Sequence, residues 1–196
     1  MFKTSMAISP TPAVFAPLLF AGDWPAALDA AVDLGYDAIE ISVRDPEHPA
    51  VVSCNRGLRQ RGLQLSAIAT GQSFYSDGWS PVSDDPEVRT LLDERMYRII
   101  ELAAPWEAMV VIGGVRGTLT GSELHRGDQY EQALYAVGQY AEYGSANGVP
   151  IVIEPIASIG PKRRCDFFMT DSAAAANSGS AGISQRYFTM NGVIFA

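Results

Sequence analysis

Histidine is nearly absent: the 196 residues contain His48 and His125 and no other. A zinc centre built mainly from imidazoles is excluded at once, because such sites take several nitrogen ligands. Cysteine is as scarce. Cys54 and Cys165 stand far apart, in neither a metal-binding nor a redox spacing, so a reduced, cytoplasmic protein is expected. Positive charge is in deficit, with 14 Lys and Arg against 22 Asp and Glu and a net charge of −8. That balance argues against a nucleic-acid partner, which needs a clustered basic face. No apolar run reaches the roughly 20 unbroken residues of a membrane span. The apolar stretch from Met6 to Ala21 is interrupted by Pro10, Pro12 and Pro17, whereas the core of a secretory signal is an unbroken helical segment. Leucine is missing after Leu134, and neither an acidic residue nor a histidine follows Asp171.

What is present is enough apolar material, 47% of residues against 18% charged, to bury a globular core. It is arranged in a recurring unit of helix, glycine and short buried strand. Asp23 caps a predicted helix whose inner face is Trp24, Ala27, Leu28, Ala31 and Val32; Gly35 stops it before the strand 37–41. A helix over about 50–60 ends at Gly62, ahead of the strand 63–69. Asp85 and Pro86 open a third helix, since a proline at the first helical position loses no hydrogen bond. Its apolar face is Val88, Leu91, Leu92, Met96, Ile99, Ile100 and Ala103, and the strand 109–112 follows. The fourth helix carries Tyr130, Ala133, Leu134, Val137, Tyr140 and Ala141, stops near Gly148 and leads to Ile151-Val152-Ile153-Glu154.

Continuously apolar strands separated by helices belong to parallel sheets. Counting Met6-Ala7-Ile8-Ser9 as the first, five strands are predicted by residue 155. A dinucleotide-binding sheet would need a glycine fingerprint after its first strand, and Pro10-Thr11-Pro12-Ala13 cannot supply one. Gly113-Gly114-Val115-Arg116-Gly117 lacks the lysine and hydroxyl of a phosphate-binding loop. The expected fold is therefore α/β, a parallel (β/α) barrel of the TIM type. It is incomplete, with about five to six βα units where a full barrel takes about 250 residues. Residues 1–156 form the partial barrel domain. Residues 157–196, rich in Ala, Ser and Gly, are expected to be an irregular tail, either a flexible extension or the product of a disturbed reading frame near 157. Open strand edges would favour a homo-oligomer.

Reacting groups of such barrels sit at the C-terminal ends of the strands. Glu154 ends the fifth strand, and a carboxylate behind Ile151-Val152-Ile153 is costly to desolvate without a cation or a donor. Oxygen ligands suit a hard divalent ion, Mn²⁺ or Mg²⁺. Glu154 is the candidate metal ligand; its alternative is a helix cap or a structural partner of an arginine. Glu40, between Ile39 and Ile41, points into the barrel if the isoleucines face the helices, and can contact substrate or serve only as a structural carboxylate. Arg116, in the glycine-rich loop after the fourth strand, can contact substrate or stay solvated. His125 lies off any strand end. Phe74, Tyr75 and Trp79 follow the third strand in a loop able to cover a sugar site or to pack as a flap.

Four stretches resemble a known family: Gly35-Tyr36-Asp37-Ala38-Ile39-Glu40-Ile41-Ser42, Leu65-Ser66-Ala67-Ile68-Ala69-Thr70-Gly71, Val110-Val111-Ile112-Gly113 and Gly148-Val149-Pro150-Ile151-Val152-Ile153-Glu154-Pro155. Together, over residues 3–156, they are similar to the sugar phosphate isomerase/epimerase family, whose fold is the xylose isomerase-like TIM barrel. The resemblance implies that Glu154 binds Mn²⁺, or Mg²⁺ or Zn²⁺ in its place, and takes part in proton transfer on a carbohydrate. It also implies an Asn-Arg-Tyr-Glu-like stretch next, where this chain has Ile156-Ala157-Ser158-Ile159-Gly160. Later strands of the family supply an aspartate, a histidine and a second glutamate to the metal. The segment Ser184-Gln185-Arg186-Tyr187-Phe188-Thr189-Met190-Asn191 resembles the aspartate strand only in part. The expected function is a metal-dependent isomerase or epimerase of a sugar, working through an enediolate. Its rivals are an inactive barrel fragment or partner-dependent scaffold and, less favoured by charge and histidine count, an endonuclease-type phosphodiester hydrolase.

Overall fold

The computed structural model describes residues 3–13 and 18–154, together with the backbone strands at 188–190 and 193–195. Strand β1 (Ser5–Ile8) leads to helix α1 (Trp24–Asp33), β2 (Ala38–Ser42), α2 (Pro49–Arg61) and β3 (Gln64–Ala69). A single helical turn, α3 (Gln72–Tyr75), precedes α4 (Pro86–Ala103), β4 (Met109–Ile112), α5 (Glu123–Ala146) and β5 (Ile151–Ile153). Strands β1 to β5 lie side by side in chain order, every neighbouring pair parallel. This is the predicted parallel β/α architecture. Beyond β5, β7 (Val193–Phe195) pairs parallel to it and β6 (Phe188–Met190) pairs antiparallel to β7. The remainder of the tail, including the stretch after Glu154, lies outside the described residues.

The helix boundaries follow local chemistry. Asp23 Oδ1 accepts from the Ala26 amide, Asp85 Oδ1 from Glu87 and Ser122 Oγ from His125, each satisfying an otherwise orphaned helix N–H. His48 caps α2 with its ring, Nδ1 accepting from the Ala50 amide at 3.1 Å. Gly62 ends the same helix at φ +69°, a conformation open to glycine at little cost.

Alternation divides the sheet into two faces. Met6, Ile8, Ile39, Ile41, Leu65, Ile68, Val110, Ile112, Ile151 and Ile153 belong to the core beneath the helices, with Leu28, Leu58, Met96, Ile99 and Ile100. The opposite face carries the register row Ala7, Glu40, Ala67 and Met109 and the row Ser42, Ala69, Val111 and Val152. The isoleucines flanking Glu40 thus face the helices, and Glu40 stands on the concave side. Three apolar residues assigned to inner helix faces, Val32, Leu91 and Leu134, are exposed. Each sits at the margin of its stripe, where the helix has already turned away from the sheet.

Gly144 on the last turns of α5 fixes how closely that helix approaches β5. A β-carbon there would lie 2.6 Å from the Val149 carbonyl oxygen and 3.0 Å from Ile151 Cγ1. Overpacking costs about 1–3 kcal/mol, and a backbone carbonyl cannot step aside as a side chain can. Gly144→Ala is expected to lower stability by about 1–2 kcal/mol even after the gain in helix propensity, read as a lower urea midpoint at unchanged slope.

Candidate functional site

The parallel arrangement collects the strand ends, and with them the polar residues, at one rim. Glu154 follows β5 directly; its amide donates to the Ile112 carbonyl at 3.1 Å, continuing the ladder by one residue. Two residues beyond Val152, it shares the concave face with Glu40 by alternation. Its side chain is exposed, so the desolvation argument made for it from sequence applies instead to Glu40, which is partly buried. Burial raises the Glu40 pKa above the usual carboxylate range, and the nearby charge of Glu154 raises it further. The two glutamates therefore share one electrostatic environment. Arg116 closes a short 3-10 turn, Gly114–Arg116, after β4. Its guanidinium reaches the backbone carbonyl of Glu154 at 3.5 Å, so all three residues named from sequence gather at this rim.

Other polar groups at the rim had no clear signal in the sequence. Gln72, fully buried, donates from Nε2 to the Ser42 carbonyl at 2.8 Å and to Ser9 Oγ and Ser42 Oγ, each at 3.1 Å. This ties the ends of β1 and β2 to α3. Its Oε1 has no donor among the described residues. Thr70 Oγ1 likewise donates to the Val111 carbonyl at 2.8 Å, joining the ends of β3 and β4. Beside them, Asp77 accepts from Arg44 Nε at 2.9 Å and from Arg95 Nη1 at 2.6 Å. Arg95 also lies over the Trp79 ring, 3.8 Å from its centroid. Burial pushes the Asp77 carboxyl up, but the hydrogen bonds and charges of the two arginines outweigh it and hold the group below its ordinary value.

The remaining candidates are placed elsewhere. His125 sits in the first turn of α5, on a helix and not on a strand end, and pairs with Asp84 at 3.1 Å. Cys54 is buried, its thiol pushed up to about 12 by desolvation, which leaves it unreactive. A cleft of about 660 Å³ opens at the opposite, N-terminal end of the strands, among Lys3, Asp37, Gln64 and Trp106. Neither Glu40, Glu154 nor Arg116 lines it, and that end of a parallel barrel serves stability rather than chemistry.

Oxygen donors suit a hard divalent cation, and the exposed Glu154 carboxylate at the strand end could supply one. Among the described residues no group of three or more His, Cys, Asp or Glu side chains could hold a metal ion. Any further ligands would be water, substrate oxygens or groups outside those residues.

A parallel β/α sheet with its polar residues at the C-terminal rim is the design of one barrel class, and comparison with known proteins agrees. The family described as the xylose isomerase-like TIM barrel matches residues 28–173, and the chain belongs to it. An L-ribulose 3-epimerase structure is similar at 20% identity and a TM-score of 0.57, covering 80% of this chain and 50% of that one. A D-allulose 3-epimerase from Methylomonas sp., in complex with D-allulose, is similar at 18% identity and a TM-score of 0.58, covering 79% and 52%. A Thermus thermophilus protein soaked with ZnCl2 is similar at 18% identity and a TM-score of 0.54, covering 78% and 55%. The chain spans about half the length of these structures. No curated protein matches it. Among the described residues no helix is long and apolar enough to cross a membrane.

Proposed function

We propose that this chain carries the first half of a sugar isomerase or epimerase site, one that moves a proton on a carbon next to a carbonyl. The observation that carries the reading is the pair Glu40 and Glu154 on the concave face, near enough for the charge of one to raise the pKa of the other. Glu154, exposed at the strand end, is the base that takes the proton. The electron pair left behind moves onto the carbonyl oxygen, giving an enediolate; return of the proton to the opposite face of the same carbon epimerises the sugar, whereas its delivery to the former carbonyl carbon, with a proton passing between the two oxygens, isomerises it. Glu40 stays protonated to higher pH than an ordinary carboxyl and donates a hydrogen bond to a substrate oxygen. Arg116, tied to the Glu154 backbone, supplies positive charge toward the developing enediolate oxygen.

Glu154 would hold the divalent ion, Mn²⁺ by preference with Mg²⁺ or Zn²⁺ as substitutes; when bound, it supplies Lewis acidity toward the sugar oxygens. The similar structures of L-ribulose and D-allulose 3-epimerases support a ketose as ligand. A second copy of the chain is a further proposed partner, supported by the outer edge of β1, where Ile8 makes a single bridge to Leu19.

The test is solvent exchange. The chain, incubated with Mn²⁺ and D-allulose in D2O, is expected to place deuterium on a carbon adjacent to the carbonyl, read by NMR after chelation of the ion. Exchange should stop with EDTA. No exchange above a protein-free control would contradict the enzymatic reading and favour a scaffold.

A further inference from the structure

We infer that Tyr97 and Tyr143, which meet between α4 and α5, form an oxidation site that closes to a dityrosine bond, with Glu101 as acceptor of the phenolic proton. The inference is independent of the sugar reading. Tyr97 stands in the middle of a row of three tyrosines. Its ring meets Tyr143 with centroids 4.8 Å apart and planes at 61°, and Tyr140 with centroids 6.1 Å apart and planes at 82°. Both separations lie within direct ring contact, and the first is the closer. Tyr140 is 2% exposed and closes the row on its inner side. Tyr97 and Tyr143 pack against the core but are only partly buried, so a small oxidant reaches them from solvent.

A carboxylate is built onto each end of the row. Tyr143 Oη donates to Glu101 Oε1 at 2.8 Å, and Tyr140 Oη donates to Asp93 Oδ1. Hydrogen bonds to an ionised acceptor are about twice as strong as neutral ones. A phenol that loses an electron becomes a strong acid, so a carboxylate already in contact lets electron and proton leave together. The oxidant that fits is a peroxyl radical. It takes one electron from Tyr143 and, with a proton from water, becomes a hydroperoxide; the phenolic proton passes to Glu101 and on to water. A second peroxyl radical oxidises Tyr97 in the same way, its proton going to solvent. The two phenoxyl radicals join through the ring carbons beside their oxygens. The hydrogens displaced from those carbons move to the oxygens and restore both phenols. Two peroxyl radicals thus become two hydroperoxides, while the protein loses two hydrogens and gains one C–C bond between α4 and α5.

The experiment exposes the full chain, in dilute solution, to peroxyl radicals from a water-soluble azo initiator. It reads dityrosine fluorescence, the gel mobility of the product and the masses of its proteolytic peptides. The parent is expected to give a monomeric product in which the peptides of Tyr97 and Tyr143 are joined and two hydrogens lighter. Tyr97→Phe and Tyr143→Phe keep the rings but remove a coupling partner, and each should lose the joined peptides entirely. Tyr135→Phe should form them as the parent does, because Tyr135, though 72% exposed, belongs to neither ring contact. Glu101→Gln should slow their formation by about tenfold, the loss of a charged hydrogen-bond acceptor. Circular dichroism melts show that each variant is folded. A parent that yields no intramolecular dityrosine, or joins Tyr97 to another tyrosine instead, overturns the pair. Joined peptides that persist in either Phe variant overturn it equally, and an unchanged rate in Glu101→Gln removes Glu101 as the proton acceptor.

Discussion

Replacing Glu154 by Gln is expected to weaken Mn²⁺ binding by more than about 100-fold while leaving the melting temperature nearly unchanged. Loss of an outer hydrogen-bonding partner of a metal site already costs about 10–100-fold in affinity, and here a charged ligand oxygen becomes a neutral amide. The fold should not suffer. Glu154 is exposed, its backbone rather than its side chain joins the β4 ladder, and surface substitutions of this kind stay within about 0.5 kcal/mol. Removing the charge also relieves its repulsion of Glu40, so any small change in stability should be a gain. The two effects are read separately, by calorimetric titration with Mn²⁺ and by thermal melting. A large loss of stability would mean that the glutamate is structural.

The second large effect belongs to Asp77. Its side chain is 10% exposed and Arg95's is 13% exposed, and Asp77→Asn leaves that guanidinium without its carboxylate. Breaking a buried pair by removing one partner costs about 3–5 kcal/mol. The second arginine, Arg44, is more than half exposed and regains water, so a loss of about 2–3 kcal/mol is expected. The pH dependence has a definite sign. A carboxyl held below its unfolded value stabilises the fold fully above about pH 4, the unfolded pKa of aspartate, and loses that contribution as pH falls through the folded value. Urea unfolding should therefore separate parent from Asp77→Asn widely at pH 7 and bring them together as pH falls below the ordinary aspartate range. Because Asp77 anchors the segment between α3 and α4, the same variant should also loosen the placement of Trp79 beneath Arg95.

The parallel sheet and its helices were legible because their signals are local. Asp23 and Asp85 cap where a short polar side chain precedes an apolar stripe, and Gly35 and Gly62 adopt positive φ where the stripe ends. The width of a stripe is less legible: Val32, Leu91 and Leu134 fit the helical period yet are exposed, since periodicity gives a direction and not the reach of the neighbouring layer. The site was legible only where topology dictates it. Strand ends converge in a parallel sheet, so Glu154, Glu40 and Arg116 could be named from position alone. Which of the two glutamates is the more buried could not, because burial depends on the long-range packing around each side chain. Gln72 was missed for a related reason. A glutamine after Thr70-Gly71 reads as a solvated loop residue, and only the closeness of the β1 and β2 ends makes its amide a buried crosslink. The same limit hid the division among Phe74, Tyr75 and Trp79, since nothing local distinguishes a tryptophan covered by an arginine from a tyrosine at the surface.

The most direct measurement is the titration of Glu40 by carbon NMR in the metal-free protein, compared between the parent and Glu154→Gln. A Glu40 pKa above the ordinary glutamate value that falls when Glu154 loses its charge would place both side chains at one rim. An unchanged titration, with the parent and the variant superimposable, would separate the two carboxylates and leave the proposed site without its second member.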